Sequence, residues 1–308
     1  MLAGLEGQGH DRRMTRHDPI HPPSADIQMP TRVAFLGPEG TYGEQAARIL
    51  VSLEGVAQPA FVPCQGIRAV VHHLVSGRCE AAVLPVENSV EGGVTTSHDA
   101  LWSHPELTIR RAVVLPIRHA LLSSGSLNTI TEVLSHPQAL AQCSEWLAEH
   151  LPQVLQLPTS STAEAARLVA GSRFRAAIAS RSAAKEYGLQ EIGFPINDIA
   201  GNCTRFLLMQ RGERSGQGDF ASLAFSLHNN APGALLDALR CIANLGLNMS
   251  RIESRPSKRE LGEYVFFVDV ELSEDDPQVL EGLLVNLKPF CEHLVCFGAY
   301  ESTESSLE

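Results

Sequence analysis

The sequence predicts an α/β protein in two parts, a bilobed larger domain followed by a small α+β domain of order βαββαβ. Three observations carry this. Short apolar runs alternate with segments of helical spacing from Arg32 to Tyr187. A Gly-, Arg- and Ser-rich stretch, Arg211 to Asp219, then interrupts the alternation and reads as a linker. Beyond it the strand and helix patterns follow the split βαβ order and close within roughly 80 residues as a separate domain. The expected boundaries are a disordered extension over 1–30, the larger domain over 31–211, a linker over 212–219, the small domain over 220–300 and a tail over 301–308. One lobe takes about 31–107 and 190–211, the other 108–189.

Composition narrows the function classes. At 308 residues the chain exceeds one average domain, and 44% hydrophobic content is ordinary for a globular protein. A formal charge of −11, without Lys/Arg runs, argues against nucleic acid and anionic membrane surfaces. An anionic substrate would therefore be held by a few local donors. Cys64, Cys79, Cys143, Cys203, Cys241, Cys291 and Cys296 show neither CxxC pairs nor metal-ligand spacing with His, as in a cytoplasmic protein with reduced thiols and no zinc. No apolar run reaches membrane-spanning length, and the polar start lacks a signal-peptide core.

Arg32 to Leu36 is the first strand. In the following segment Gly37 and Gly40 flank a turn, Thr41 is a helix N-cap with Glu44 three residues on, and Ala46, Ala47, Ile49 and Leu50 continue as a helix. The Lys-Ser/Thr of a P-loop and the GxGxxG spacing are both missing, which argues against a nucleotide. Ala60 to Pro63 is a strand and Ile67 to Ser76 a helix. Ala81 to Leu84 reads as a buried strand that Pro85 ends, and polar residues then arrive together: Glu87, Asn88, Ser89 and Glu91, a Gly92-Gly93 turn, and Thr95, Thr96 and Ser97 as candidate N-caps. A polar loop between a strand's carboxyl end and a helix's amino end is where open α/β sheets place ligands.

Leu107 to Ser123 holds two apolar runs broken by Pro116, as a crossing into a second lobe would. Strands at Val133–Ser135, Val154–Leu157 and Ala176–Ala179 then alternate with helices at Pro137–His150, Thr162–Ala170 and Arg181–Tyr187, which predicts mostly parallel pairing. Thr204, Arg205 and Phe206 open the apolar run Leu207-Leu208-Met209; taken alone, that Arg is an exposed strand-edge residue. In the last domain Leu223, Phe225 and Leu227 mark a strand, Leu235, Leu239 and Ile242 a helix, Asn248–Glu253 and Glu263–Glu271 two strands, Val279 to Leu287 a helix and His293–Phe297 a final strand.

Taken together, Gly37-Pro38-Glu39-Gly40-Thr41-Tyr42, Pro85-Val86-Glu87-Asn88-Ser89-Val90-Glu91-Gly92, His136-Pro137-Gln138 and Asn202-Cys203-Thr204-Arg205-Phe206 resemble prephenate dehydratase in order and spacing. Gly233-Ala234-Leu235-Leu236 and Glu253-Ser254-Arg255-Pro256 resemble that family's regulatory ACT domain. The chain departs at Gly43, where similar enzymes often carry Ser. Some members begin with a chorismate mutase domain; the thirty residues preceding Thr31 cannot form one, so a single activity is expected.

The resemblance implies a periplasmic-binding-protein-like bilobed domain and the conversion of prephenate to phenylpyruvate without metal or organic cofactor. It implies Thr204 as the catalytic hydrogen-bond donor, and Thr41, Asn88, Ser89, Gly92, Thr162, Arg205 and Phe206 as substrate-binding residues. Glu87 is expected to orient the Asn88 loop, Glu91 to brace it, and His136 to cap a helix of the second lobe. L-phenylalanine is the implied effector, held by Asn230, Ala231, Gly233, Ala234, Leu235, Glu253, Ser254, Arg255 and Pro256, in a homodimer or homotetramer. Two alternatives stand beside this one: arogenate dehydratase, and a non-catalytic two-lobed binding protein attached to a sensor.

Overall fold

The computed structural model describes residues 31–272 and 278–305, so the expected extension and the last three residues of the expected tail lie outside the described residues. The first lobe is built from β1 (Arg32–Leu36), α1 (Tyr42–Leu53), β2 (Ala60–Cys64), α2 (Ile67–Val75), β3 (Ala81–Asn88), β4 (Gly92–Gly93), α3 (Thr95–Ser103) and β5 (Leu107–Pro116). The second holds β6 (Ala120–Ser123), β7 (Glu132–Ser135), α4 (Pro137–Ala141), α5 (Ser144–His150), β8 (Leu155–Pro158), α6 (Thr162–Val169), β9 (Arg175–Ala179), α7 (Arg181–Tyr187) and β10 (Gln190–Gly193). The chain returns in β11 (Cys203–Arg211), and the C-terminal domain follows as β12 (Phe220–Leu227), α8 (Ala234–Asn244), β13 (Met249–Pro256), β14 (Tyr264–Glu271), α9 (Val279–Leu287) and β15 (Cys291–Glu304).

Local chemistry explains the elements that frame the cleft between the lobes. At the start of α1 the Thr41 hydroxyl accepts from Glu44 N, while the Glu44 carboxylate reaches back to Gly40 N at 2.7 Å, a close variant of the expected capping box. In α2 the buried residues Ile67, Val70, Val71 and Leu74 follow helical spacing and seal one face against the sheet. The expected Pro137–His150 helix is two helices, because α4 ends at Gln142 and α5 starts after Cys143. Thr95 is already the first residue of α3, whose N-cap is Val94, so none of Thr95, Thr96 and Ser97 caps it by its side chain.

Pairing is mixed rather than mostly parallel. β1 runs parallel to β2 and β3, whereas β11 is antiparallel to both β3 and β5. The second lobe orders its strands β10-β6-β9-β7-β8. Since β5 stays in the first sheet up to Pro116 and β10 pairs with β6, the lobes exchange at Ile117–His119 and Phe194–Asn202, later than expected at both crossings. The crossings are laced together: Ile117 N donates to Asn202 O at 2.8 Å and Ile196 N to His119 O at 3.0 Å.

The C-terminal sheet has the order β13-β14-β12-β15, the antiparallel ferredoxin-like arrangement, with α8 and α9 packed on one face around Leu223, Phe225, Val268 and Leu283. Its other face is not free. Ala224, Val265, Phe267, Phe297 and Tyr300 share one core with Val70, Leu74 and Leu101 of the first lobe. Moreover, β15 outlasts its domain: Glu301 to Glu304, expected as tail, pair in parallel with Arg111 to Val114 of β5, so ten strands form one continuous sheet.

Candidate active site

The cleft floor is made by β3 and β11. Ala82, Leu84 and Val86 of β3 point to the core shared with the C-terminal domain, and strict alternation would send Asn88 the same way. The register breaks between Phe206↔Pro85 and Arg205↔Glu87, leaving Val86 as an extra residue. This bulge reverses the phase, a use of bulges common beside active sites. Asn88 thereby lies opposite Thr204 and both line the cleft, while Glu87 and Arg205 lie opposite each other on the back of the sheet.

Asn88 is held in one orientation. Its Oδ1 accepts from Val90 N and Glu91 N, each at 3.0 Å, so its Nδ2 must face the other way and donate. The Nδ2 group donates to Asn202 Oδ1 at 2.8 Å, Thr204 Oγ1 at 2.9 Å and Cys203 O at 3.1 Å. Thr204 Oγ1 is therefore an acceptor in this pair. Its own hydrogen is left for a group in the cleft.

About 1000 Å³ of space lies above that hydroxyl. Four helix starts converge on it, with N-caps Thr41 for α1, Gly66 for α2, His136 for α4 and Ser161 for α6, all among the lining residues. Together they present unpaired amide N–H groups and positive dipole ends, suited to an anion. Phe206 and Ile117 supply apolar wall. Burial pushes the Tyr42 phenol and the Cys64 thiol up, so both stay protonated, and burial pushes His119 down despite its bond to Gln142, so its imidazole stays neutral. At one margin Arg167 holds the Glu164 carboxyl below its ordinary range through a 2.6 Å bond.

The sequence profile of the prephenate dehydratase family matches residues 33–214, more than half of the chain. The chain belongs to the prephenate dehydratase family. A profile of the ACT domain matches residues 221–283. A bifunctional chorismate mutase/prephenate dehydratase of Neisseria gonorrhoeae is 41% identical over 262 residues, which cover 83% of this chain and 71% of that protein. Among solved structures, the prephenate dehydratase of Arthrobacter aurescens in complex with L-Phe superposes with TM-score 0.77 at 35% identity, covering 88% of this chain and 90% of that one. GqqA, described as a quorum quenching acylase, superposes with TM-score 0.76 at 30% identity and covers 88% and 98%.

Within this family fold, the expected site residues divide. Thr41, Asn88, Thr162, Thr204 and Phe206 line the cleft. The Thr41 hydroxyl is already committed, donating to Leu36 O at 2.9 Å while capping α1. Ser89 does not line it: its hydroxyl accepts from Cys203 N at 3.0 Å and fastens the loop to the start of β11. Gly92 stands at the turn with φ +81°, pairs with Asn88, and also lies off the cleft. Arg205 is a correction. One residue beyond Thr204 on a strand, it points to the opposite face and bonds Asp269 Oδ2 of the ACT domain at 3.1 Å, so it does not meet a ligand in the cleft. Glu87 faces Arg205 there at 3.7 Å.

The family fold also brings in Gln142, which the sequence reading did not single out. Gln142, in the break between α4 and α5, donates to Glu91 Oε1 at 3.3 Å and accepts from Asn202 Nδ2 at 3.0 Å, bridging the lobes. His136 stands on the wall and caps α4 through Nδ1. Gln142 was one turn beyond the quoted His-Pro-Gln; that spacing was the available signal. At Gly43 an added Cβ would stand 2.7 Å from Leu36 O, so the chain here closes α1 onto β1 more tightly than a larger residue allows.

Of the expected effector residues, Gly233 (φ +86°) is the N-cap of α8, Ala234 begins the helix, Ala231 O accepts from Ala234 N, and Leu235 packs into the ACT core. Asn230 Nδ2 donates to Gly262 O at 3.1 Å. β13 is the edge strand, with Ser254 and Pro256 exposed. Glu253 and Arg255 are turned the other way, to Arg251 at 3.1 Å and Asp99 at 3.5 Å, and join the contact with the first lobe.

Proposed function

We propose that the chain converts prephenate to phenylpyruvate in phenylalanine synthesis, with feedback control by phenylalanine through the ACT domain. The observation that carries this is the Thr204 hydroxyl, which accepts from Asn88 and has its hydrogen unspent at the floor of a cleft ringed by amide donors. In the reaction the bond from the ring carbon to its carboxylate breaks and releases carbon dioxide. The electron pair moves through the ring, which becomes aromatic, and the ring C–O bond breaks with its electron pair going to the departing oxygen, which takes up a proton from solvent and leaves as water. A threonine hydroxyl is too weak an acid to give up a free proton at neutral pH. It stabilises the departing oxygen by a hydrogen bond that strengthens as charge grows there. The amides at the starts of α1 and α6, with Arg167 at the margin, serve the carboxylates.

Acyl transfer, suggested by the likeness to GqqA, would need a base beside a nucleophile. Thr204 is paired instead with an amide N–H that cannot take its proton. Spectrophotometric detection of phenylpyruvate from prephenate tests the main reading, with arogenate and an N-acyl amide as competing substrates. Turnover of either competitor in preference to prephenate overturns it.

For control, α8 offers its Gly233 start and the β13 edge offers Ser254 and Pro256, but in different parts of one sheet. Pairing two ACT domains through that edge would bring these groups together, and the exposed Leu236 of α8 and Val285 of α9 offer apolar surface to a second copy. This supports a homodimer or homotetramer. Seven free cysteines suit the reducing cytoplasm. Calorimetric titration with phenylalanine, with and without a substrate analogue, reads the coupling, and equal affinities exclude it.

A further inference from the structure

We propose that Asp269 of the ACT domain is a positioning residue for Thr204, acting through Arg205. This rests on the dehydratase reading above.

Asp269 is buried and gathers three donors. Its Oδ1 accepts the Ser222 hydroxyl at 2.6 Å, and its Oδ2 accepts Arg251 Nε at 2.9 Å and Arg205 Nη1 at 3.1 Å. Ser222 in turn meets the Tyr300 hydroxyl at 2.8 Å, one residue before β15 enters the first-lobe sheet. Arg205 therefore stretches between an anion of the ACT domain and Glu87 of β3, while its Nε has no hydrogen-bond partner. Its hold is made by the terminal amines alone.

The back and front of the sheet repeat each other. Thr204 and Asn88 are a cross-strand pair on the cleft face; Arg205 and Glu87 are the next pair, on the ACT face. In the same row Val114 faces Arg205 from the other side, and Glu304 of the ACT strand faces Val114. A shared peptide unit fixes the Thr204 Cα against that of Arg205, so a shift of Arg205 tilts the hydroxyl relative to the substrate. Reaction rates are steep in such placement, with about 1 Å worth up to 10²-fold. The ACT domain thus sets the donor from behind without touching the substrate.

The test compares Asp269→Asn, Arg205→Lys and the control Arg259→Gln, which removes an exposed pair with Glu292 in the same domain. Phenylpyruvate formation by the unaltered protein comes first and decides the dehydratase reading on its own. Asp269→Asn is expected to lower kcat about tenfold with KM within about twofold, Arg205→Lys to lower it less, and Arg259→Gln to leave it unchanged. Should Asp269→Asn fail to fold, Arg205→Lys carries the test. A raised KM at unchanged kcat would place Arg205 with the substrate and overturn the proposal, as would unchanged kinetics in both variants. A crystal structure of Arg205→Lys supplies a readout independent of activity: the Asn88 Nδ2 to Thr204 Oγ1 separation should lengthen from 2.9 Å, and an unchanged distance also overturns it.

Discussion

The cleft and the contact between the first lobe and the ACT domain lie on opposite faces of the same two strands, and they solve opposite problems. The cleft has to hold a ligand that comes and goes. Around Thr204 it uses amide N–H groups, hydroxyls and neutral side chains, with Tyr42, Cys64 and His119 all kept uncharged by burial, and it keeps its ion pair, Arg167 with Glu164, at the margin. The contact behind it is permanent and uses ions: Arg205, Arg251, Arg255 and Lys258 against Glu87, Asp99, Glu253 and Asp269. A fixed charge beside Thr204 would bind substrate and product alike, whereas donors aimed at a leaving oxygen act most where charge develops. The strand order of β11 separates the two chemistries by a single residue.

Four changes separate the faces experimentally. The largest effect belongs to Thr204→Ala, which should cost about 2.7 to 4 kcal/mol, or 10² to 10³ in kcat, and leave the melting temperature nearly unchanged. On the back face, His98 is buried on α3 with its Nε2 accepting both terminal amines of Arg251 at 3.0 Å, so the neutral ring carries its hydrogen on Nδ1, 3.5 Å from Glu253. Burial first, then Arg251, holds its pKa down to about 4 against an ordinary 6.5. A depressed value means that the unfolded chain takes the proton first. Stability is therefore fully present above about pH 6.5 and is lost as pH falls towards 4, by up to about 3 kcal/mol. His98→Gln should flatten the melting temperature over that window relative to the unaltered chain, with His119 contributing equally to both.

Gly93→Ala would drive a methyl into the Glu253 carboxylate and disturb the same contact, with a loss of about 1 to 3 kcal/mol seen in denaturant unfolding. Smallest, and on the cleft side, Ser161→Ala removes the cap of α6 and should cost about 1 kcal/mol while raising KM a few-fold. Equal effects of Ser161→Ala and Gly93→Ala on KM would show that the two faces are not functionally distinct.

Much of this was legible in the sequence. The Thr41 cap, the Ile67 to Leu74 face of α2, the strand at Thr204 and the order of the ACT elements all follow from short-range patterns, which depend on neighbours along the chain. What escaped depended on partners far away. The bulge at Val86 exists only as a mismatch between two strands, so Glu87 and Asn88 exchange faces without any local sign. The motif neighbours Thr204 and Phe206 suggest that Arg205 belongs to the cleft, although alternation along β11 points it the other way. The second buried face of the ACT sheet did leave a trace: Val265, Phe266, Phe267 and Val268 run apolar without alternation, as strands covered on both sides do. The strand from Glu301 to Glu304 left none, since its polar residues match a solvated end.

That continuous sheet limits what can be cut from the molecule. Ending the chain before β12 would strip the cover from Val70, Leu74 and Leu101 and leave the backbone of β5 open along Arg111 to Val114. The remaining fragment would carry every cleft residue yet offer a sticky apolar surface beside a bare strand, a combination prone to self-association. The sensor in this protein is thus also a structural wall of the enzyme, and exchanging it for another module would mean rebuilding that wall.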